Sequence, residues 1–207
     1  MLEDAPIFDP EAFRLSVQEA ELTTLARRLG QNRFAARAAT FDREARFPTE
    51  NYVDLREAGL LGICVPREHG GLGADYRAYC LTAAEIGRYC GATALTWNMH
   101  ICSCLWSGPL SDAMDMDADT RREHERRRAS HYARIVKDGA IYAQPFSEGG
   151  SAAAGAVPFA TTARREGDGW RLKGRKIFAS LSGAADYYGI LCTEARDEGG
   201  LSRRHTM

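Results

Sequence analysis

Two periods of apolar residues run along this chain, and the change from one to the other divides it. Up to about residue 138 the apolar positions recur every three or four residues, the spacing of helices with one buried face. Asp9-Pro10-Glu11 predicts the first helix start: aspartate caps, proline suits the first turn, and glutamate favours the positive helix end. Phe13, Val17, Leu25 and Leu29 mark its apolar stripe, with Gly30 at its end. A second helix is predicted with Phe34, Ala38 and Phe41 inward and Arg33, Arg37 and Arg43 toward water. A third opens at Pro48-Thr49-Glu50 and closes at Gly59. From Asp75 the period returns, with Tyr76, Tyr79, Cys80, Ala83, Ile86 and Cys90 on one face. Thr93 to Leu105 is apolar nearly all round and predicts a buried helix. A loop from Ser107 to Asp119 and a very polar helix from Thr120 to Val136 complete this part.

Near Gly139 the pattern shortens to that of strands. Ala140 to Phe146, Lys176 to Ser180 and Tyr187 to Cys192 each predict a strand. Ala160–Arg164 and Trp170–Lys173 flank the turn Glu166-Gly-Asp-Gly169 and predict a hairpin. The expected fold class is α+β, with an all-helical domain over residues 1–138 and a β domain over residues 139–207.

Composition narrows the function classes. Of 207 residues, 44% are hydrophobic and 27% charged, which is ordinary for a globular chain. No apolar run approaches the roughly 20 residues a membrane span needs. Lys and Arg number 27 against 28 Asp and Glu, so the net charge of −1 gives no general pull toward nucleic acid or an anionic membrane. The six cysteines form no Cys-x-x-Cys pair, and the acidic start Met1-Leu-Glu-Asp-Ala-Pro6 lacks the pattern of a secretory leader. Reduced cysteines in a cytoplasmic protein are the expectation.

Most chemistry-bearing clusters have a structural reading. Gly70-Gly-Leu-Gly73 lacks the spacing of a dinucleotide or P-loop cradle and is expected to be a turn between helices. The arginines at 121, 122, 126, 127 and 128 are interrupted by Glu123 and Glu125, with no interleaved aromatics, and predict a solvated helix face. His100, among Trp97, Asn98 and Met99, is expected to be a satisfied core histidine. No set of residues has metal-ligand spacing. Gln144-Pro-Phe-Ser-Glu-Gly-Gly-Ser151 carries more, because two hydroxyls and two glycines after a strand let backbone donors approach a phosphate or a flat polar ring. In Lys176-Ile-Phe-Ala-Ser180 an aromatic ring and a hydroxyl stand two apart, on one face of a strand, which suits a planar cofactor.

The order of these pieces resembles the acyl-CoA dehydrogenase family. The likeness is carried by Leu55-Arg-Glu-Ala-Gly-Leu-Leu-Gly-Ile-Cys-Val-Pro66, Gly70-Gly-Leu-Gly73, Phe146-Ser-Glu-Gly-Gly-Ser151 and Thr161-Thr-Ala163. It continues through Gly169-Trp-Arg-Leu-Lys-Gly-Arg-Lys-Ile-Phe178 and Gly183-Ala-Ala-Asp186. The resemblance implies an N-terminal helical domain followed by an incomplete antiparallel β-barrel-like domain, and FAD as cofactor. It places Ser147 at the pyrimidine side of the flavin, with Gln144 and Phe146 lining the ring. Gly150 and Ser151 would approach the pyrophosphate, Phe178 would pack on the isoalloxazine, and Ser180 would donate near its reactive nitrogen. Phe178 stands where the family has Trp, Gly149 where it has Pro, and Ala152 where it has Asp. The resemblance implies oxidation of an acyl-CoA thioester at its α–β bond. It also implies an electron-transfer flavoprotein or reductase as partner, and a homo-oligomeric full-length form. The family's catalytic base belongs to a C-terminal helical domain with no counterpart here, so no catalytic residue is assigned. The expectation is therefore an N-terminal fragment or truncated relative. A flavin-dependent monooxygenase of the same fold and an inactive fragment are the alternatives.

Overall fold

The computed structural model describes residues 6–149, 157–195 and 201–206, the last by backbone alone. The chain forms two compact units, Met1–Ile141 and Tyr142–Met207.

The first unit is helical: α1 Val17–Leu29, α2 Ala35–Arg43, α3 Thr49–Glu57, α4 Tyr76–Tyr89, α5 Gly91–Leu105 and α6 Ala118–Val136. The first helix starts later than Asp9 predicts. Asp9 caps only a short turn, accepting from the amides of Glu11 and Ala12, and Arg14 ends that turn with φ 48°. The chain restarts at Ser16, whose hydroxyl accepts from the Glu19 amide while the Glu19 carboxylate accepts from the Ser16 amide. Val17 is consequently 76% exposed, and Leu22, Thr23 and Ala26 face inward instead.

Gly30 does not end the helix. It begins a π-helical segment, Gly30–Phe34, that leads directly into α2. The reason is contact rather than backbone freedom: a Cβ at Gly30 would lie 2.0 Å from Cδ2 of Tyr89 on α4. That approach also sets the rotation of α4. Its buried residues are Ala78, Tyr79, Leu81, Thr82, Glu85, Ile86 and Tyr89, while Tyr76 and Cys80 of the predicted stripe are exposed. Glu85 is tolerated inside because Arg27 of α1 donates to it at 3.0 Å and Arg88 adds a longer contact at 3.5 Å.

Arg33 and Arg37 do not simply face water. Both reach buried Asp54 of α3, at 2.8 and 2.6 Å, and Arg37 also reaches Asn51. Asn51 in turn donates to Thr93 of α5 at 2.8 Å. Phe34, Leu55, Leu60, Ile63, Ile86, Trp97, Ile101 and Tyr132 form the core. The expected loop after Ser107 is shorter than predicted, because α5 runs on through a π-helical turn, Trp106–Leu110, kinked at Gly108 and Pro109. Asp117 then caps α6 by accepting from the amides of Asp119 and Thr120. No helix among the described residues is long and apolar enough to cross a membrane.

The second unit holds β1 Tyr142–Ala143, β2 Thr162–Glu166, β3 Gly169–Lys173, β4 Tyr187–Tyr188, β5 Cys192–Ala195 and β6 Leu201–Thr206. One sheet has the order β3-β2-β5-β6, and β1 pairs with β4 in a second. The hairpin forms as predicted in type, with Glu166 opposite Gly169 and Gly167 at φ 57°. The chain is thus α+β with helices first and an open sheet after them. The antiparallel expectation needs correction in part, since β1–β4 and β2–β5 are parallel pairs. Parallel neighbours need a long return connection, and the stretch between β3 and β4 forms part of it for both pairs. That connection takes the place of the strand predicted over Lys176–Ser180, where Phe178 and then Leu181 adopt positive φ of 53° and 71°.

Candidate functional site

In the Gly70–Gly73 loop every amide from Gly70 to Ala74 already has an acceptor: Arg67, Pro66, Gly62, Val65 and Ile63 carbonyls in turn. A Cβ at Gly71 would lie 2.1 Å from the Val65 carbonyl oxygen, so glycine there serves close backbone packing. His100 is fully buried with Nε2 3.0 Å from the Leu61 carbonyl, beside Trp97, whose indole donates to the Leu60 carbonyl at 3.0 Å. On α6, Arg126 and Arg127 pair with Glu123, Arg128 pairs with Glu125 and Asp112, and Arg122 pairs with Asp119. Among the described residues no group of three or more His, Cys, Asp or Glu is placed to hold a metal ion.

The second unit brings the two remaining segments together. The chain leaves β1 as Gln144-Pro-Phe-Ser-Glu-Gly149 and returns about thirty residues later as Lys176-Ile-Phe-Ala-Ser180. The Ile177 amide donates to the Ser147 carbonyl at 2.8 Å, and Lys176 Nζ donates to the Phe146 carbonyl at 3.1 Å. Gln144, Phe146, Ser147, Phe178 and Ser180 therefore lie on two strips of chain bonded side by side. Gly150 and Ser151 lie outside the described residues.

The polar groups on these strips are unevenly satisfied. Gln144 is 6% exposed, and among the described residues its Oε1 has no hydrogen-bond partner. The side chain lies against Gly189, where a Cβ would come within 3.0 Å of that oxygen. Among the described residues, the amides of Ser147, Glu148 and Gly149 and the Ser147 hydroxyl find no partner. The Phe178 ring is 84% exposed on a residue with left-handed backbone. It therefore does not share a strand face with Ser180, which is half-buried with its amide on the Phe178 carbonyl at 2.9 Å. An acceptor, a run of amide donors, a hydroxyl and a bare aromatic ring suit a flat ligand that has both N–H and carbonyl edges.

Sequence reasoning passed over the residues that hold this arrangement. Glu148 accepts from Lys176 Nζ at 2.7 Å and from the amides of Ala160 and Thr161 at 2.7 and 2.9 Å. Despite partial burial, these bonds hold its carboxyl down at about 2. Lys176 also stands 4.2 Å from the Phe159 ring centroid. Gly174 is required beside them, because a Cβ there would fall 2.5 Å from Thr161 Cα. Nothing local marked Lys176 as inward, since it follows Lys173-Gly-Arg175 in a basic run.

Residues 16–110 match a family model described as the acyl-CoA dehydrogenase N-terminal domain. A probable acyl-CoA dehydrogenase of Mycobacterium leprae is 28% identical over 194 residues, which are 94% of this chain and 46% of the relative. The chain thus spans about half the length of that curated relative. Butyryl-CoA dehydrogenase from Megasphaera elsdenii superposes with TM-score 0.69 at 23% identity, over 89% of this chain and 46% of that structure. FMN-bound TdsC from Paenibacillus sp. A11-2 superposes with TM-score 0.70 at 21% identity, over 87% and 42%. TdsC of that organism is a dibenzothiophene monooxygenase. These two likenesses show a shared fold.

Proposed function

We propose that this chain is a member of the acyl-CoA dehydrogenase family, as its similarity over residues 16–110 and to the mycobacterial relative supports, and that these residues supply part of the flavin-binding wall of an oxidoreductase, with FAD as the cofactor. The observation that carries the reading is the lacing of the 144–149 loop to the 176–180 segment. The residues present fit the group. Among the described residues, Gln144 Oε1 is a buried acceptor without a partner, as a ring N–H would require, and the amides of the 147–149 run are donors without acceptors. Gln144, Phe146 and Ser147 would hold the polar edge of the ring, Phe178 would cover a face, and Ser180 would donate near the reacting nitrogen. Gly150 and Ser151 would face the pyrophosphate.

Bound flavin supplies a two-electron acceptor for hydride from the β-carbon of an acyl-CoA thioester. The chain's own residues orient that acceptor and withhold water from one side of it. No acid or base is assigned among them. Glu148 is excluded from that role because its carboxylate is already committed to Lys176 and two backbone amides. The reading includes a homo-oligomer, an electron-transfer flavoprotein or reductase as partner, and a cytoplasmic setting for the reduced cysteines. A second reading, a flavin-dependent monooxygenase, is favoured by Gly149 and Phe178, which depart from the family pattern on the ring-contacting strips.

The test is titration of the purified chain with FAD and with FMN, followed by the visible flavin band. Saturable FAD uptake is expected. Ser180→Ala should weaken it about fivefold, the worth of one lost neutral donor. Uptake of FMN in preference to FAD would favour the monooxygenase. A folded chain that takes up neither would overturn the flavin reading and favour an inactive module.

A further inference from the structure

The Glu148–Lys176 pair is unusual for its place. Both side chains are nearly buried, at 7% and 9% exposure, in a unit whose strands β3 and β4 are exposed along their whole length. Burying two charges is costly unless every lone pair and proton is used. Here the bonds that offset this cost span three stretches of chain that no strand pairing joins. Oε1 of Glu148 takes Lys176 Nζ and the Thr161 amide, and Oε2 takes the Ala160 amide. Lys176 gives a second bond to the Phe146 carbonyl and lies over the Phe159 ring. One ion pair therefore binds the 144–149 loop to the run entering β2 and to the connection before β4.

The next residue explains what the pair is for. Ile177 continues the lacing through the Ser147 carbonyl, and Phe178 then turns into the left-handed region with its ring in solvent. A bulky residue at positive φ with an exposed ring gains nothing from its own packing, so its conformation is imposed by its neighbours. We propose that the buried Glu148–Lys176 pair is a positioning latch: it fixes the spacing between the Ser147 amide run and the Phe178 ring, and so sets how a flavin ring is seated between them. The proposal rests on the flavin reading above. Glu148 and Lys176 are positioning residues in it, since neither contacts the ring.

The experiment compares the full chain with Lys176→Met, Lys176→Arg, Glu148→Gln and the exposed control Lys173→Met. Amide hydrogen exchange at Ala160, Thr161 and Ile177 reads the latch without any flavin. FAD titration and the visible band of the saturated complex read its effect on seating. Lys176→Met and Glu148→Gln should each speed exchange at the three amides and weaken FAD about tenfold or more, the scale of a lost charge-assisted bond. The band at saturation should also shift, which a loss of folded protein alone would not produce. Lys176→Arg, which keeps the charge, should stay within about threefold of the parent, and Lys173→Met should match it. If Lys176→Met fails to fold, the near-isosteric Glu148→Gln and the arginine rescue decide the matter. Faster exchange with unchanged FAD affinity and an unchanged band would overturn the positioning role while leaving the flavin reading intact. No FAD uptake by the parent chain, with slow exchange at the three amides, would overturn the flavin reading and the positioning role together, and leave only a structural lock.

Discussion

Replacing Gly71 with alanine is the sharpest test of how the helical unit is built. An ideal Cβ at that position falls 2.1 Å from the Val65 carbonyl oxygen, 2.4 Å from Val65 Cβ and 2.6 Å from the Val65 carbonyl carbon. Ordinary contact begins near 3.4 Å, so the two backbone stretches must part by about 1 Å. That movement disturbs three bonds that stitch them: Gly71 to Pro66 at 3.2 Å, Leu72 to Gly62 at 3.2 Å and Gly73 to Val65 at 2.9 Å. It also disturbs the bond from Gln18 of α1 to the Leu72 carbonyl at 2.7 Å. With a net worth of roughly 1 kcal/mol per bond, the loss of three comes to about 3 kcal/mol. The lower unfolded-state entropy of alanine returns roughly 0.5 kcal/mol, leaving about 2.5 kcal/mol of destabilisation. For a unit of this size that is a fall in melting temperature of about 5–10 °C. Thermal and urea unfolding followed by the helical circular dichroism signal measures it, with an unchanged urea slope. Gly91→Ala is the control. Nothing lies within 4 Å of a Cβ there, and the change should stay within about 0.5 kcal/mol. A Gly71→Ala chain with the parent's midpoint would refute the close-approach argument.

Three other outcomes follow from side chains already placed. Burial pushes the His131 imidazole down to about 4, against a hydrogen bond to the Ser103 backbone. The unfolded chain takes up that proton near 6.5, so stability is full above that pH and is lost as pH falls toward about 4. His131→Gln should flatten the slope in that window, and an unchanged slope would count against the burial argument. Phe178→Ala should leave the melting temperature unchanged, since the ring is exposed, while weakening flavin binding several-fold; the reverse pattern would make Phe178 a packing residue. Arg127→Ala should alter neither stability nor flavin binding measurably, because Arg127 is a solvent-exposed partner of a Glu123 that keeps Arg126.

What could be seen in advance depended on how local its cause is. The start of α4 near Asp75 was legible from the return of the apolar period, and the structure has the Asp75 carboxylate accepting from the Ala78 amide at 2.8 Å, a contact only three residues long. The hairpin around Gly167 was legible for the same reason. The rotation of α4 was not, because it depends on Gly30 admitting Tyr89 and on Arg27 meeting Glu85, partners some sixty residues apart. A polar residue inside a helix is invisible to an apolar-stripe reading until its partner is known. The π-helical joint at Gly30 hid behind the ordinary meaning of a glycine after a helical run. Parallel pairing in the second unit hid behind strands of two to five residues, too short to carry a register signal. In the candidate site the identities on both strips were readable, but the reason they meet was not. Sequence spacing suggested a strand over Lys176–Ser180, whereas a buried ion pair with the earlier loop holds that segment in an irregular path.

The two glycine-bearing loops show why composition alone cannot tell a scaffold from a site. Gly70-Gly-Leu-Gly73 and Ser147-Glu-Gly149 both carry small residues and backbone donors. In the first, the carbonyls of residues 62–67 run alongside and accept every amide from 70 to 74, so the loop closes on its own chain and has no donor left for a ligand. In the second, the neighbouring segment offers the opposite complement. Ile177 and Lys176 arrive as donors and engage carbonyls of the loop, while the Glu148 carboxylate reaches past the loop to the amides at 160 and 161. The carbonyls of Phe146 and Ser147 are thereby satisfied, and the amides from 147 to 149 are left without acceptors among the described residues. Ser147 and Glu148 are half-buried and Gly149 is exposed, so these amides are open to water or to a ligand, beside a buried amide oxygen of Gln144 that has no partner among the described residues. Whether a loop keeps donors free for a ligand is decided by whether its neighbour brings acceptors or donors, a property of the partner segment that neither loop's own residues contain.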